Sequence, residues 1–188
     1  TQTDKKKSNN RSYFFFESLN LKSNSNEVKM SQVVYNSSMQ NIDVKAFRGL
    51  QKLMLDLKTS PSYELMTKLQ ISAIEILSKG LKVQVPEFSV ANISYEGEDL
   101  GGFKLIAALN IKEDKNLAAK MLFSPFFIVQ NLDFKLNLSV SKKIYTKFVQ
   151  EVPLALLALN STNQTATDLI YDISYINGNL SVNGTSVL

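Results

Sequence analysis

From Leu132 to Val140 every second residue is apolar. Leu132, Phe134, Leu136, Leu138 and Val140 alternate with Asp133, Lys135, Asn137 and Ser139. Successive side chains of a strand point to opposite faces, so the stretch predicts a strand with one buried and one wet face. Less regular alternation in β-prone residues predicts further strands at 12–21, 26–36, 81–97, 103–112 and 168–176. "KSNSN" reads as a polar turn between the first two, and "EGEDLGG" as a loop before residue 103. Pro86 lies inside the third strand and argues for a bulge, a sheet edge or a break there.

The period changes to three and four after Asp43. Val44, Phe47, Leu50, Met54 and Leu57 predict a helix over 43–58 with Asp43 as N-cap. Gly49 sits in its middle at a cost of about 1 kcal/mol against alanine. Ser60-Pro61 predicts the cap and first position of a second helix, 61–79, supported by Glu64–Lys68 and Glu75–Lys79 pairs and stopped at Gly80. Its stripe is Leu65, Met66, Leu69, Ala73, Ile76 and Leu77, with Leu65, Leu69, Ala73 and Ile76 expected against the sheet. Ile71 falls on the charged side and Ile74 between, which suits either lateral packing or a second apolar contact. Residues 116–127 read as irregular or a short helical turn broken at Ser124-Pro125. A third helix is predicted over 142–159, capped by Ser141, with Ile144, Phe148, Val149 and Val152 on its apolar side.

The chain closes on "YINGNLSVNGTSVL". Asn-Gly is the preferred pair for a two-residue hairpin turn, because both central residues need positive φ. A turn at Asn177-Gly178 sets Ile176 opposite Asn179, Tyr175 opposite Leu180, Ser174 opposite Ser181 and Ile173 opposite Val182. Apolar pairs then share one face and polar pairs the other, so Ser174 and Ser181 are expected to look outward. Asn183-Gly184 predicts a second turn and a short last strand.

Composition sharpens this picture mainly by exclusion. Hydrophobic residues make up 44% and charged residues 20% of 188, enough to bury a core in one domain. Cysteine, histidine and tryptophan are absent. That removes disulfides, thiolate nucleophiles, Cys/His zinc sites and a Ser-His-Asp triad. Acid–base work would fall to Asp, Glu, Lys or Tyr. The net charge of +4 is mild, and Lys5-Lys6-Lys7 reads as part of a solvated tail over residues 1–12, so no nucleic-acid partner is expected. Glu96, Glu98 and Asp99 could hold a hard cation, but their spacing is not an EF-hand, and a hairpin loop accounts for the nearby glycines. A phosphate loop lacks its Lys-Ser/Thr and its helix. No metal or cofactor is expected. Asn-x-Ser/Thr sequons such as those at Asn36 and Asn137 match chance in a chain this rich in Asn and Ser.

The ending also resembles the terminal signature of the YdgA-like bacterial family of unknown function, which closes on a G-x-L-x-x-N-G-x-x-L pattern. Gly178, Leu180, Asn183, Gly184 and Leu188 occupy such positions, with the final spacing one residue longer. "NIDVKAF" resembles the start of that family's helical region, and "LKVQVPEFSVANISYEGEDLGGFKLIAALNI" resembles its paired strands. The resemblance implies a periplasmic protein anchored in the inner membrane by a helix preceding residue 1, with no catalytic residues to carry over. The first residue, which is not Met, fits such a fragment.

The expected architecture is α+β: residues 13–188 form one domain in which a mostly antiparallel sheet packs against about three helices. The expected function is a non-enzymatic envelope domain that binds an apolar ligand such as a lipid, or the membrane surface. Its candidate contacts are Phe14, Phe16, Ile71, Phe123, Phe126 and Phe127. The rival is an interaction or scaffold module for another envelope protein, reached through exposed strand edges.

Overall fold

Strand order in the sheet follows chain order. In the computed structural model, which describes residues 7–23, 26–124, 126–148 and 164–187, eight strands neighbour one another sequentially in an antiparallel sheet. They are β1 (Lys7–Ser23), β2 (Asn26–Asp43), β3 (Leu81–Tyr95), β4 (Glu98–Ile111), β5 (Leu132–Ser141), β6 (Asp168–Ile176), β7 (Asn179–Val182) and β8 (Thr185–Ser186). Helices α1 (Val44–Thr59) and α2 (Tyr63–Ser78) intervene before β3. Helices α3 (Leu117–Phe123) and α4 (Phe127–Gln130) precede β5, and α5 (Lys142–Phe148) follows it. The fold is α+β, as the periodicities predict.

Several boundaries differ from the pattern. β1 begins at Lys7 and takes in residues 7–12, which read as tail; residues 1–6 lie outside the described residues. β2 continues through "SSMQNID" to Asp43. Neither stretch alternates, because backbone pairing to a neighbouring strand can hold residues extended without a regular apolar face. The predicted loop at 96–102 shrinks to a two-residue turn, Glu96-Gly97, with φ of 51° and 84°. β3 runs through Pro86 as an interior strand, neither at an edge nor broken. Of the predicted turn at 22–26, Lys22 and Ser23 are strand and residues 24–25 lie outside the described residues. So does the part of the third predicted helix beyond Phe148, with Val149 and Val152.

Contacts sort the chain into two compact units. The first comprises residues 1–10, 38–83 and 109–133, and its buried apolar residues are Ile42, Ile76, Ile111 and Leu117. Asp43 caps α1, its Oδ1 accepting from Ala46 N at 2.9 Å. Its Oδ2 accepts from Lys79 Nζ at 2.6 Å, so one carboxylate ties the start of α1 to the end of α2. Lys79 therefore pairs with Asp43 and not with Glu75, whereas Glu64–Lys68 forms as predicted at 2.5 Å. The cap of α2 is Ser62, whose Oγ accepts from Leu65 N at 3.2 Å, two residues beyond the predicted Ser60. Ser60 instead closes α1, donating its N–H to Asp56 O. Along α2 only Ile76 is buried; Leu65, Leu69 and Ala73 are half-buried and Met66 is exposed. Asp114 fastens the other side of this unit. Its carboxylate accepts from Asn116 N, Lys120 Nζ and Asn131 Nδ2, while its own N–H donates to Ser78 O at 2.9 Å.

Two stability predictions arise here. A β-carbon on Gly49 would meet nothing within 4 Å, so Gly49→Ala should gain about 0.5–1 kcal/mol from helix propensity, read as a higher urea midpoint. Acid should act in the opposite direction. Hydrogen bonds from Lys22, then Asn20 and Lys29, lower the Glu27 carboxyl from 4.5 to about 2. Asp43 is lowered first by its bond from Ala46 N, and Glu64 and Asp114 first by Lys68 and Lys120. A carboxyl with a folded pKa below its unfolded one contributes stability above the unfolded value and loses it as pH falls through the folded one. Stability should hold at neutral pH and decline from pH 4.5 towards about 2, as urea melts across that window will report.

The second unit comprises residues 11–37, 84–108 and 134–188 and buries Val90, Leu100, Leu169, Tyr171 and Ile173. β5 and β6 pair with Leu136 opposite Ile173, Leu138 opposite Tyr171 and Val140 opposite Leu169. The apolar face of β5 thus meets the apolar face of β6. β6 and β7 pair in the register that the Asn177-Gly178 turn predicts, Ile176 to Asn179 through Ile173 to Val182. Asn177 and Gly178 have φ of 51° and 86°. Ile173 is buried, whereas Tyr175, Leu180 and Val182 are half-buried. Ser174 and Ser181 are half-buried too and do not look freely outward, because their hydroxyls bond each other at 2.8 Å. At the second turn Asn183 exchanges bonds with Asp172: its Oδ1 accepts from Asp172 N and its own N–H donates to Asp172 O.

Candidate functional site

The second unit carries an aromatic row. Phe14 of β1 stacks on Tyr35 of β2 with ring centroids 6.1 Å apart. Tyr35 meets Phe88 of β3 edge-on at 5.8 Å, and Phe88 meets Phe103 of β4 edge-on at 5.1 Å. These are the offset and T-shaped geometries that ring quadrupoles favour, each worth about 0.5–1.5 kcal/mol beyond area burial. The row ends on an exposed strand: Phe14 is 53% and Phe16 47% exposed, and Tyr13 and Phe15 are exposed as well. An open trough of about 560 Å³ is lined in part by Phe15, Val34, Ala91 and Phe103, with a Glu87–Lys104 ion pair at 3.6 Å on its wall. That volume lies within the range of small-molecule sites.

Two other concavities have different chemistry. In the first unit an entirely apolar cleft of about 190 Å³ is lined by Met39, Ile42, Phe47, Leu50, Ala73 and Ile76, among others. A dry apolar space of about 150 Å³ takes a benzene-sized guest, so this cleft is too small for an acyl chain. In the second unit a polar cleft of about 430 Å³ contains Asp99, Ser141, Lys142, Lys143 and Asp168. Its cations are engaged by backbone: Lys142 Nζ donates to Thr165 O at 2.8 Å and Lys143 Nζ to Asp99 O at 3.1 Å. Ser141 Oγ donates to Leu100 O at 2.6 Å. These bonds hold the polypeptide together across the cleft.

The acidic turn is likewise occupied. Glu98 pairs with Lys147 at 2.5 Å, which raises the lysine's pKa, and Lys147 lies 5.3 Å from the Tyr95 ring centre. Phe148 meets Tyr95 edge-on, so α5 is docked on the β3–β4 hairpin by one cation and one ring. Asp99 Oδ1 accepts from Gly101 N at 2.8 Å.

The six candidate contact residues are divided between the two units. Phe14 and Phe16 lie on β1 in the second unit. Ile71 (51% exposed), Phe123 (89%) and Phe126 (78%) are surface residues of the first, where Phe127 is half-buried. None of the six lines the apolar cleft, and it is Phe15 that reaches the trough. Tyr35, Phe88 and Phe103 complete the row, although the alternation does not single them out. The available signal is one ring in each of three consecutive strands. Among the described residues no helix is long and apolar enough to cross a membrane. No family model, curated protein or solved structure matches the chain.

Proposed function

We propose that the chain is a non-enzymatic domain of the bacterial cell envelope that binds an apolar ligand such as a lipid, or the membrane surface, through the aromatic strand β1. In this reading the full-length protein is held in the inner membrane and this part lies in the periplasm. The observation that carries it is the ring row from Phe103 to Phe14, whose open end continues into exposed Tyr13, Phe15 and Phe16. Four adjacent exposed aromatics cost solubility unless something apolar covers them. The absence of histidine and cysteine and the backbone-engaged lysines of the polar cleft give no support to an enzyme. Native mass spectrometry of protein purified from its own host should show co-purified lipid, and Phe14→Ser with Phe16→Ser should lose it. Protein that arrives lipid-free and does not float with vesicles would overturn the reading.

A second reading, a protein-interaction or scaffold module, draws on the 17-residue length of β1 at the sheet edge. Long edges accept added strands. Recovery of one envelope protein in stoichiometric amount, with no lipid, would favour it.

A further inference from the structure

We infer that the β1 edge pairs with β1 of a second copy of this chain, antiparallel about a two-fold axis with Phe14 opposite Phe14. β1 is the first strand of the sheet, and among the described residues only β2 adjoins it. Among the described residues its outer edge offers a row of backbone donors and acceptors, which is a template for another strand. A two-fold axis perpendicular to the sheet keeps each residue on its own face, so the strands can slide past each other only in steps that preserve face.

One such register matches charges and rings on the Arg11, Tyr13, Phe15 and Glu17 side of the strand. With Phe14 on the axis, Arg11 of each copy faces Glu17 of the other, Tyr13 faces Phe15, and Ser12 faces Phe16. The closed contact then has two opposite-charge pairs outside an aromatic centre. Sliding the strands to the next register on one side puts Arg11 opposite Phe15 and Glu17 opposite Asn9. The next on the other side puts Arg11 opposite Leu19 and Glu17 opposite Tyr13. Both shifts lose the charge match. Arg11 and Glu17 are exposed, and among the described residues neither makes an ion pair within its own chain. Directly opposed unlike charges and aromatic pairs are the units that stabilise antiparallel sheet. The pairing also joins the two Phe14 rings, so the aromatic row of one copy continues into that of the other. It does not depend on a lipid ligand.

Sedimentation analysis of the whole chain tests this. The wild type should sediment at twice its 21.1 kDa mass at micromolar concentration. Arg11→Glu sets like charges opposite twice and should raise the dissociation constant by about tenfold or more. The exchange Arg11→Glu with Glu17→Arg restores both pairs and should restore the dimer. Both variants change exposed side chains, and matching urea melts will show that the fold is intact. A wild type that stays monomeric, an Arg11→Glu variant that dimerises unchanged, or an exchange variant that remains monomeric would each overturn the pairing. Loss of lipid binding with the dimer intact would bear on the ligand reading alone.

Discussion

Replacing Gly102 by alanine is expected to destabilise the protein by about 3 kcal/mol, the upper end of the usual range for overpacking. A β-carbon there would overlap the carbonyl oxygen of Val90 and stand 2.5 Å from Ala91 O and 2.8 Å from its carbonyl carbon. These are backbone atoms of an interior strand, so no rotamer change can relieve the clash. β3 and β4 would have to separate beside Val90, one of the most buried residues in the unit. An unchanged urea midpoint would mean that the two strands can part at little cost. The comparison with Gly49 is informative, because the same substitution in open space should raise stability.

Removal of residues 177–188 should abolish cooperative unfolding or cause aggregation. The deletion takes β7 and β8 and leaves β6 as an unprotected edge. Half-burial of Leu180 and Val182 is worth about 2 kcal/mol, and re-exposing part of Ile173 and Tyr175 should cost a similar amount. Together that approaches the 5–15 kcal/mol holding a typical domain folded. Gly178→Val should destabilise more mildly, since a β-branched residue resists a φ of 86°. A truncated protein that remains monomeric and melts in one transition would show the last hairpin to be dispensable.

What was legible in the sequence was whatever a side-chain pattern enforces. β5 was plain because each inward residue is apolar, and the β6–β7 register followed from Asn177-Gly178 because two residues of positive φ admit one alignment. Asp43 could be named as a cap because its carboxylate has one short-range task. The Lys7–Ser12 part of β1 and the end of β2 were hidden, since backbone pairing does not require alternation. Gly101 and Gly102 looked like loop residues for a related reason: glycine marks close backbone approach as well as turns, and only the neighbouring strand tells them apart. The candidate site was legible in part. "YFFF" marked Phe14 and Phe16 as candidate contacts for an apolar ligand, but their exposure could not be read from it; the Tyr35–Phe88 contact spans two intervening helices, and no local pattern sets that register.

Sequential strand order has a kinetic consequence. Each strand finds its partner in the strand just made, with no crossover to thread, so most of the search for β pairing is short-range. The longest detours are the helical inserts after β2 and the segment between β5 and β6. Loop-closure entropy grows only slowly with length, so these delay pairing without changing its order. Folding should therefore be faster than for a sheet of the same size built with crossovers, whose pairings are more distant in sequence. A chain emerging from a ribosome or a translocon could add hairpins as they appear, and would present β1 to its surroundings long before the Asn-Gly turns close the far edge.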